Sequence, residues 1–184
     1  MKKKILIIAI IILLLAAIPI TYFIFKKDET PKPNDLAEKY DLPKDNIYEV
    51  LTESEAIDFI KNGTGILFLS FPSCPRCQKS IPIINEMAKE NGFKKVMYFD
   101  PQEIRSANTK NYQEIVSLLK EHLKFDDEGK ERIFVPDVFF IKKGKILGNQ
   151  DNYLSGNFDI INDMNEERVQ ELKDRYQKLF DKLK

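Results

Sequence analysis

Hydrophobic positions along the 184-residue chain fall into three regimes. Residues 5–25 form one uninterrupted uncharged run dominated by Ile, Leu and Ala. Residues 26–46 lose that character. Pro31, Pro33 and Pro43 stand among charges with little apolar periodicity, so a linker is expected, with at most one helical turn over 36–40. From Ile47 a regular alternation begins. Residues 47–51 read as a short strand, and Thr52 with Glu55 has capping-box spacing that opens a helix running to about Lys61. Ile66, Leu67, Phe68 and Leu69 form a continuous apolar run, as in a strand buried on both faces. Ile81, Ile84, Met87 and Ala88 then mark one face of a helix over 77–89, and residues 95–100 give another strand. Tyr112, Ile115, Val116, Leu119 and Leu123 define a further helix, followed by an exposed charged turn at 126–130. A β-hairpin over 138–147 turns at Lys142-Lys143-Gly144, and an amphipathic helix carrying Val169, Leu172, Tyr176, Leu179, Phe180 and Leu183 closes the chain. The order β-α-β-α-β-α-β-β-α predicts an α/β domain over residues 47–184, a sheet with helices on both faces.

The first run predicts a membrane span. As a helix, residues 5–25 extend about 31 Å at ~1.5 Å per residue, close to the hydrocarbon thickness of a bilayer. A cleaved signal peptide competes with a retained anchor. The run exceeds the ~7–15 residues of a signal core and no A-x-A site follows it, which favours the anchor. Lys2, Lys3 and Lys4 keep residues 1–4 cytoplasmic, so the domain is expected outside a cell membrane crossed once. Lys26 and Lys27 oppose that bias. In such a compartment a disulfide persists.

Charge excludes one function class. The formal net charge is zero, yet from Asp28 onward 24 basic residues stand against 29 acidic ones, a net of −5. Such a domain lacks the basic footprint that nucleic acid requires.

The chain has two cysteines, Cys74 and Cys77, within the stretch FPSCPRC. They follow a buried strand and open a helix. The unpaired N–H groups and the dipole of a helix N-terminus favour a thiolate, and so does the cationic Arg76 beside Pro75. Cys74, on the loop side, is expected to be the exposed nucleophile, and Cys77 the sheltered resolving residue. A zinc site and an inert staple are the alternatives. Zinc wants four ligands where the chain adds only His122, and a disulfide closing so short a loop removes little chain entropy. His122 itself reads as an ordinary surface or core histidine.

Cys74-Pro75-Arg76-Cys77, Pro82 five residues on, Asp100 ending the next strand, Val135-Pro136 before a strand and Lys143-Gly144 in a hairpin together resemble the thioredoxin superfamily. The chain looks most similar to membrane-anchored thioredoxin-like proteins of Gram-positive bacteria, including those called bacteriocin transport accessory proteins. The resemblance implies a thioredoxin-like fold with a mixed central sheet and a redox-active Cys74–Cys77 disulfide. It further implies a helix kinked at Pro82, and a cis-proline at Pro136 facing the cysteines. In that superfamily the residue before the cis-proline, here Val135, binds substrate backbone. The chain departs from the pattern as well. Phe68 occupies the place of a buried aspartate, Ser73 that of a tryptophan, and Pro75-Arg76 that of Gly-Pro. Asp137 is expected to be a solvated strand-start residue, with an acid near the site as the alternative. The long segment between Pro101 and Val135 is either a substrate-reading surface or packing.

The expectation is a membrane-tethered, extracytoplasmic thiol–disulfide oxidoreductase acting on cysteines of exported proteins or peptides. It would exchange electrons with a redox partner protein and need no cofactor beyond the cysteine pair. The alternative is a non-enzymatic accessory or binding module for an exported peptide or a transporter.

Overall fold

A computed structural model of the chain describes residues 35–150 and 165–184. The expected anchor at 5–25 and the first part of the expected linker lie outside the described residues. Among the described residues no helix is long and apolar enough to cross a membrane.

Part of the segment expected as linker, from residue 35 on, packs into the domain. Leu36–Lys39 forms a helical turn, α1, and Leu36, Tyr40 and Leu42 are buried in the core. Three apolar side chains at 36, 40 and 42, set among charges and prolines, follow neither a helical nor a strand period. Only the tertiary structure shows that they are covered.

After α1 come β1 (Tyr48–Val50), α2 (Glu53–Asn62), β2 (Gly65–Leu69), α3 (Pro75–Glu90) and β3 (Val96–Phe99). The capping box at the start of α2 is present. The Thr52 hydroxyl accepts the Glu55 N–H at 3.3 Å, and the Glu55 carboxylate accepts the Thr52 N–H at 2.5 Å. Two helices follow β3, α4 (Gln102–Ser106) and α5 (Lys110–Leu119), and a 3-10 turn at Lys120–His122. The charged turn at 126–130 belongs to a small hairpin of β4 (Lys124–Phe125) and β5 (Glu131–Arg132). The chain ends in β6 (Asp137–Lys142), β7 (Lys145–Asn149) and α6 (Glu166–Leu183).

The main sheet has the order β1-β3-β2-β6-β7. β1 and β2 run parallel to β3, while β6 is antiparallel to β2 and β7 to β6. This is the thioredoxin-like α/β arrangement, with a mixed sheet and helices on both faces. Side chains alternate across the central strands and divide the core in two. Ile66, Phe68, Val138 and Phe140 meet α1, α3 and α6 on one face, and Leu67, Leu69, Phe139 and Ile141 meet α2, α4 and α5 on the other. The β6–β7 turn requires Gly144. Its φ is +72°, and a Cβ there would collide with the Lys61 carbonyl oxygen. The Gly144 N–H instead donates to the Gly63 carbonyl at 2.9 Å, which fixes the hairpin to the end of α2.

Candidate active site

β2 delivers the chain to the cysteine pair. After Leu69, residues 70–73 turn outward and Cys74 becomes the N-cap of α3. Pro75 takes the first helical position, where its missing N–H is not needed. The Cys77 N–H points back and donates to the Cys74 sulfur at 3.1 Å. Cys74 and Cys77 are joined as a disulfide, with Cα atoms 5.2 Å apart. Once the disulfide is reduced, that same N–H and the helix N-terminus favour a thiolate on Cys74.

The Val135–Pro136 peptide bond is cis, and the Val135 carbonyl oxygen lies 3.9 Å from the Cys74 sulfur. The segment thus covers the cysteines, and this corrects the expectation of an exposed nucleophile. Cys74 keeps 6% of its surface accessible and Cys77 none. Cys74 is the more accessible of the two. Pro82 sits within α3 on its exposed side. Arg76 is half-buried, and that burial alone lowers the pKa of its guanidinium below the ordinary value.

On the cysteine face of the sheet Phe68 is fully buried, its ring 5.9 Å from Tyr48 and 6.4 Å from Tyr98. Aromatic surface therefore stands where the resemblance would have an acid. Behind the loop lies a closed network of hydroxyls. Tyr40 meets Ser70 Oγ at 2.7 Å and Tyr98 Oη at 2.9 Å, and the Tyr98 hydroxyl donates to the Ser70 carbonyl at 3.0 Å. Burial pushes the Tyr40 hydroxyl up to about 12, and it raises Tyr98 further. Both stay neutral at ordinary pH. Gln78 ties α1 to the loop, donating from Nε2 to the carbonyls of Pro72 at 2.7 Å and Lys39 at 3.1 Å.

Asp137 is not the solvated strand-start residue expected. It keeps only 2% of its surface accessible. Its carboxyl oxygens accept from Asn149 Nδ2 at 3.0 and 3.2 Å, and Oδ1 also accepts the Val138 N–H at 2.9 Å. The same Asn149 amide donates to the His122 carbonyl at 3.1 Å, so the end of the long 101–135 segment is fixed to the strand that begins at Asp137. The one sequence signal for this was an acid placed directly before four apolar residues, Val138 to Ile141.

The other residue that pattern reading missed is Arg105, in α4. Its guanidinium lies 5.1 Å from the centroid of the Phe71 ring, and Nη1 donates to the Ile133 carbonyl at 3.2 Å. It therefore bridges the loop before Cys74 and the segment before Pro136. The structure thus brings together Cys74, Cys77, Pro75, Arg76, Val135 and Pro136, and adds Arg105 and Phe71. A cysteine pair with one accessible sulfur at a helix N-terminus is a two-electron dithiol/disulfide couple.

Neither a protein-family model nor a curated protein matches the chain. A solved structure of thioredoxin O2 from Arabidopsis thaliana in its oxidised state is similar to it at 17% identity, with a TM-score of 0.40. The match covers 71% of this chain and 94% of that one. At that identity and score the likeness adds nothing to the topology already described.

Proposed function

We propose that the protein is a thiol–disulfide oxidoreductase, tethered by residues 5–25 to a cell membrane and acting outside the cytoplasm on cysteines of exported proteins or peptides. The observation that carries the redox reading is the Cys74–Cys77 disulfide at the start of α3, with Cys74 accepting the Cys77 N–H and lying against the cis Val135–Pro136 segment. The tether and the compartment rest on the sequence alone, as does the similarity to Gram-positive membrane-anchored thioredoxin-like proteins.

In the reducing direction the Cys74 thiolate attacks one sulfur of a substrate disulfide. A mixed disulfide forms and one substrate thiolate leaves, taking up a proton. Cys77 then loses its proton and attacks the Cys74 sulfur. The second substrate thiolate departs and the Cys74–Cys77 bond is restored, so two electrons have passed to the substrate. The oxidising direction is the same sequence reversed, and a redox partner protein resets the pair in either case. Val135 and Pro136 hold the substrate chain beside Cys74.

Single cysteine variants test this. Cys77→Ser, incubated with a peptide disulfide, should accumulate a mixed disulfide on Cys74, visible by mass. Cys74→Ser should form none, and its exchange rate should fall to background. Wild-type protein that exchanges with no peptide disulfide would overturn the redox reading in favour of a binding module. A reporter active only outside the membrane, fused after Lys184, should be active. Activity of a cytoplasmic reporter there would overturn the compartment.

A further inference from the structure

Residues 71–77 and 133–136 face each other across the disulfide, and neither segment contains a carboxylate. Arg105 spans them, its guanidinium against the Phe71 ring and Nη1 on the Ile133 carbonyl. Arg132 immediately precedes Ile133, whose carbonyl accepts from Arg105, and its guanidinium lies 5.9 Å from the Phe134 ring centroid. Among the described residues no ion pair joins Arg105 or Arg132 to a carboxylate, whereas lysines elsewhere in the domain, such as Lys61 with Glu114 and Lys89 with Asp45, do form such pairs. Burial, and then the charge of Arg132, lower the pKa of the Arg105 guanidinium, while Tyr112 and Asp100 oppose the shift. Of the acids nearby, Asp100 acts on Arg105 through its charge without forming an ion pair with it. Asp100 accepts the Gln102 N–H at 2.8 Å, while Glu103 and Glu131 are exposed.

Two guanidiniums in mutual repulsion, one of them partly desolvated over an aromatic ring, gain from an arriving anion. A carboxylate relieves the repulsion and receives charge-assisted hydrogen bonds from the planar fork. The domain around them is net acidic, so this cationic edge is local. We propose that Arg105, with Arg132 beside it, is a specificity-determining residue that reads an acidic side chain flanking the reacting cysteine of a peptide substrate. The word substrate rests on the exchange reading above; the recognition of acidic flanks does not. A peptide laid along Val135 with its cysteine at Cys74 carries the side chain two residues away about 7 Å further along its own strand.

The test uses the full chain in its disulfide form and two short peptides. The peptides are identical except that a central serine, replacing cysteine, is flanked by glutamates in one and lysines in the other. At low salt the glutamate peptide should bind about fivefold more tightly. The difference should shrink in high salt and vanish in Arg105→Gln, while Arg105→Lys keeps it in weaker form. Arg132→Gln should narrow it too, with a thermal melt confirming that each variant is folded. Equal binding of the two peptides by the wild type overturns the proposal, as does a preference that survives in both glutamine variants. A neutral peptide disulfide offered to the reduced chain judges the exchange reading separately. Glutamate preference without exchange removes the redox role and leaves the recognition standing, and exchange without preference does the reverse.

Discussion

The two segments that meet at the disulfide are supported in different ways. The cysteine loop, residues 71–77, is backed by the hydroxyls of Tyr40, Ser70 and Tyr98, which satisfy one another in a closed network, and by the Gln78 amide on the Pro72 carbonyl. The Val135–Pro136 segment is backed by a carboxyl group, Asp137, which accepts from the Asn149 amide and from its neighbour's N–H. Removing a hydroxyl from the first network leaves other partners in place. Removing the carboxyl from the second strands buried donors, which is the costlier event. The comparison teaches that the covering segment, and not the cysteine loop, is the more brittle half of the site.

The largest expected effect comes from the apolar floor beneath both halves. Phe68→Ala deletes a fully buried ring and should cost about 3–5 kcal/mol in urea unfolding. It also shows whether the hydroxyl network survives without the ring beside Tyr98. Asp137→Ala should cost about 2–3 kcal/mol by removing the carboxyl that accepts the Val138 N–H and one of the two groups that accept from the Asn149 amide. Asp137→Asn, which keeps an acceptor oxygen, should cost less. Tyr40→Phe should cost about 1 kcal/mol, the worth of one buried hydroxyl with alternatives around it. A Tyr40→Phe loss larger than that of Asp137→Ala would reverse the comparison.

The smallest effect separates the halves by pH. An unfolded tyrosine ionises near 10, whereas Tyr40 in the folded protein holds its proton to about 12, chiefly because burial disfavours the phenolate. Its contribution is therefore fully present below pH 10 and is lost as pH rises from 10 towards 12. Alkaline unfolding followed between those values should be steeper in the wild type than in Tyr40→Phe. An identical slope in both proteins would mean that Tyr40 is not held neutral by its burial.

What could be read from the sequence follows the range of each interaction. The capping box of α2 and the apolar run of β2 are local, and each appears in the structure where the spacing places it, while the helix expected from Cys77 begins two residues earlier, at Pro75. The cis bond at Pro136 was legible only through resemblance, because a proline opening a strand is ordinary. Tyr40, Asp137 and Arg105 were not legible as parts of a site. Tyr40 lies 30 residues from Ser70, and Arg105 lies 28 from Ile133. No local period encodes either meeting. Asp137 misled for a related reason: an acid at a strand start is ordinarily solvated, and its covering partner Asn149 arrives from the next strand. The long segment between Pro101 and Val135 is tied back at its root: Arg105 and Tyr112 bond Ile133, and the His122 carbonyl accepts from Asn149, which also holds Asp137.

The β4–β5 hairpin tip contrasts with that root and offers a practical handle. The Asp126 N–H donates to the Lys130 carbonyl and the Gly129 N–H returns to Asp126, so the turn closes on its own backbone. Asp127, Glu128 and Gly129 are exposed and contribute to neither core cluster. A short epitope or a fluorophore grafted between Asp127 and Gly129 lengthens the chain where nothing else depends on its length.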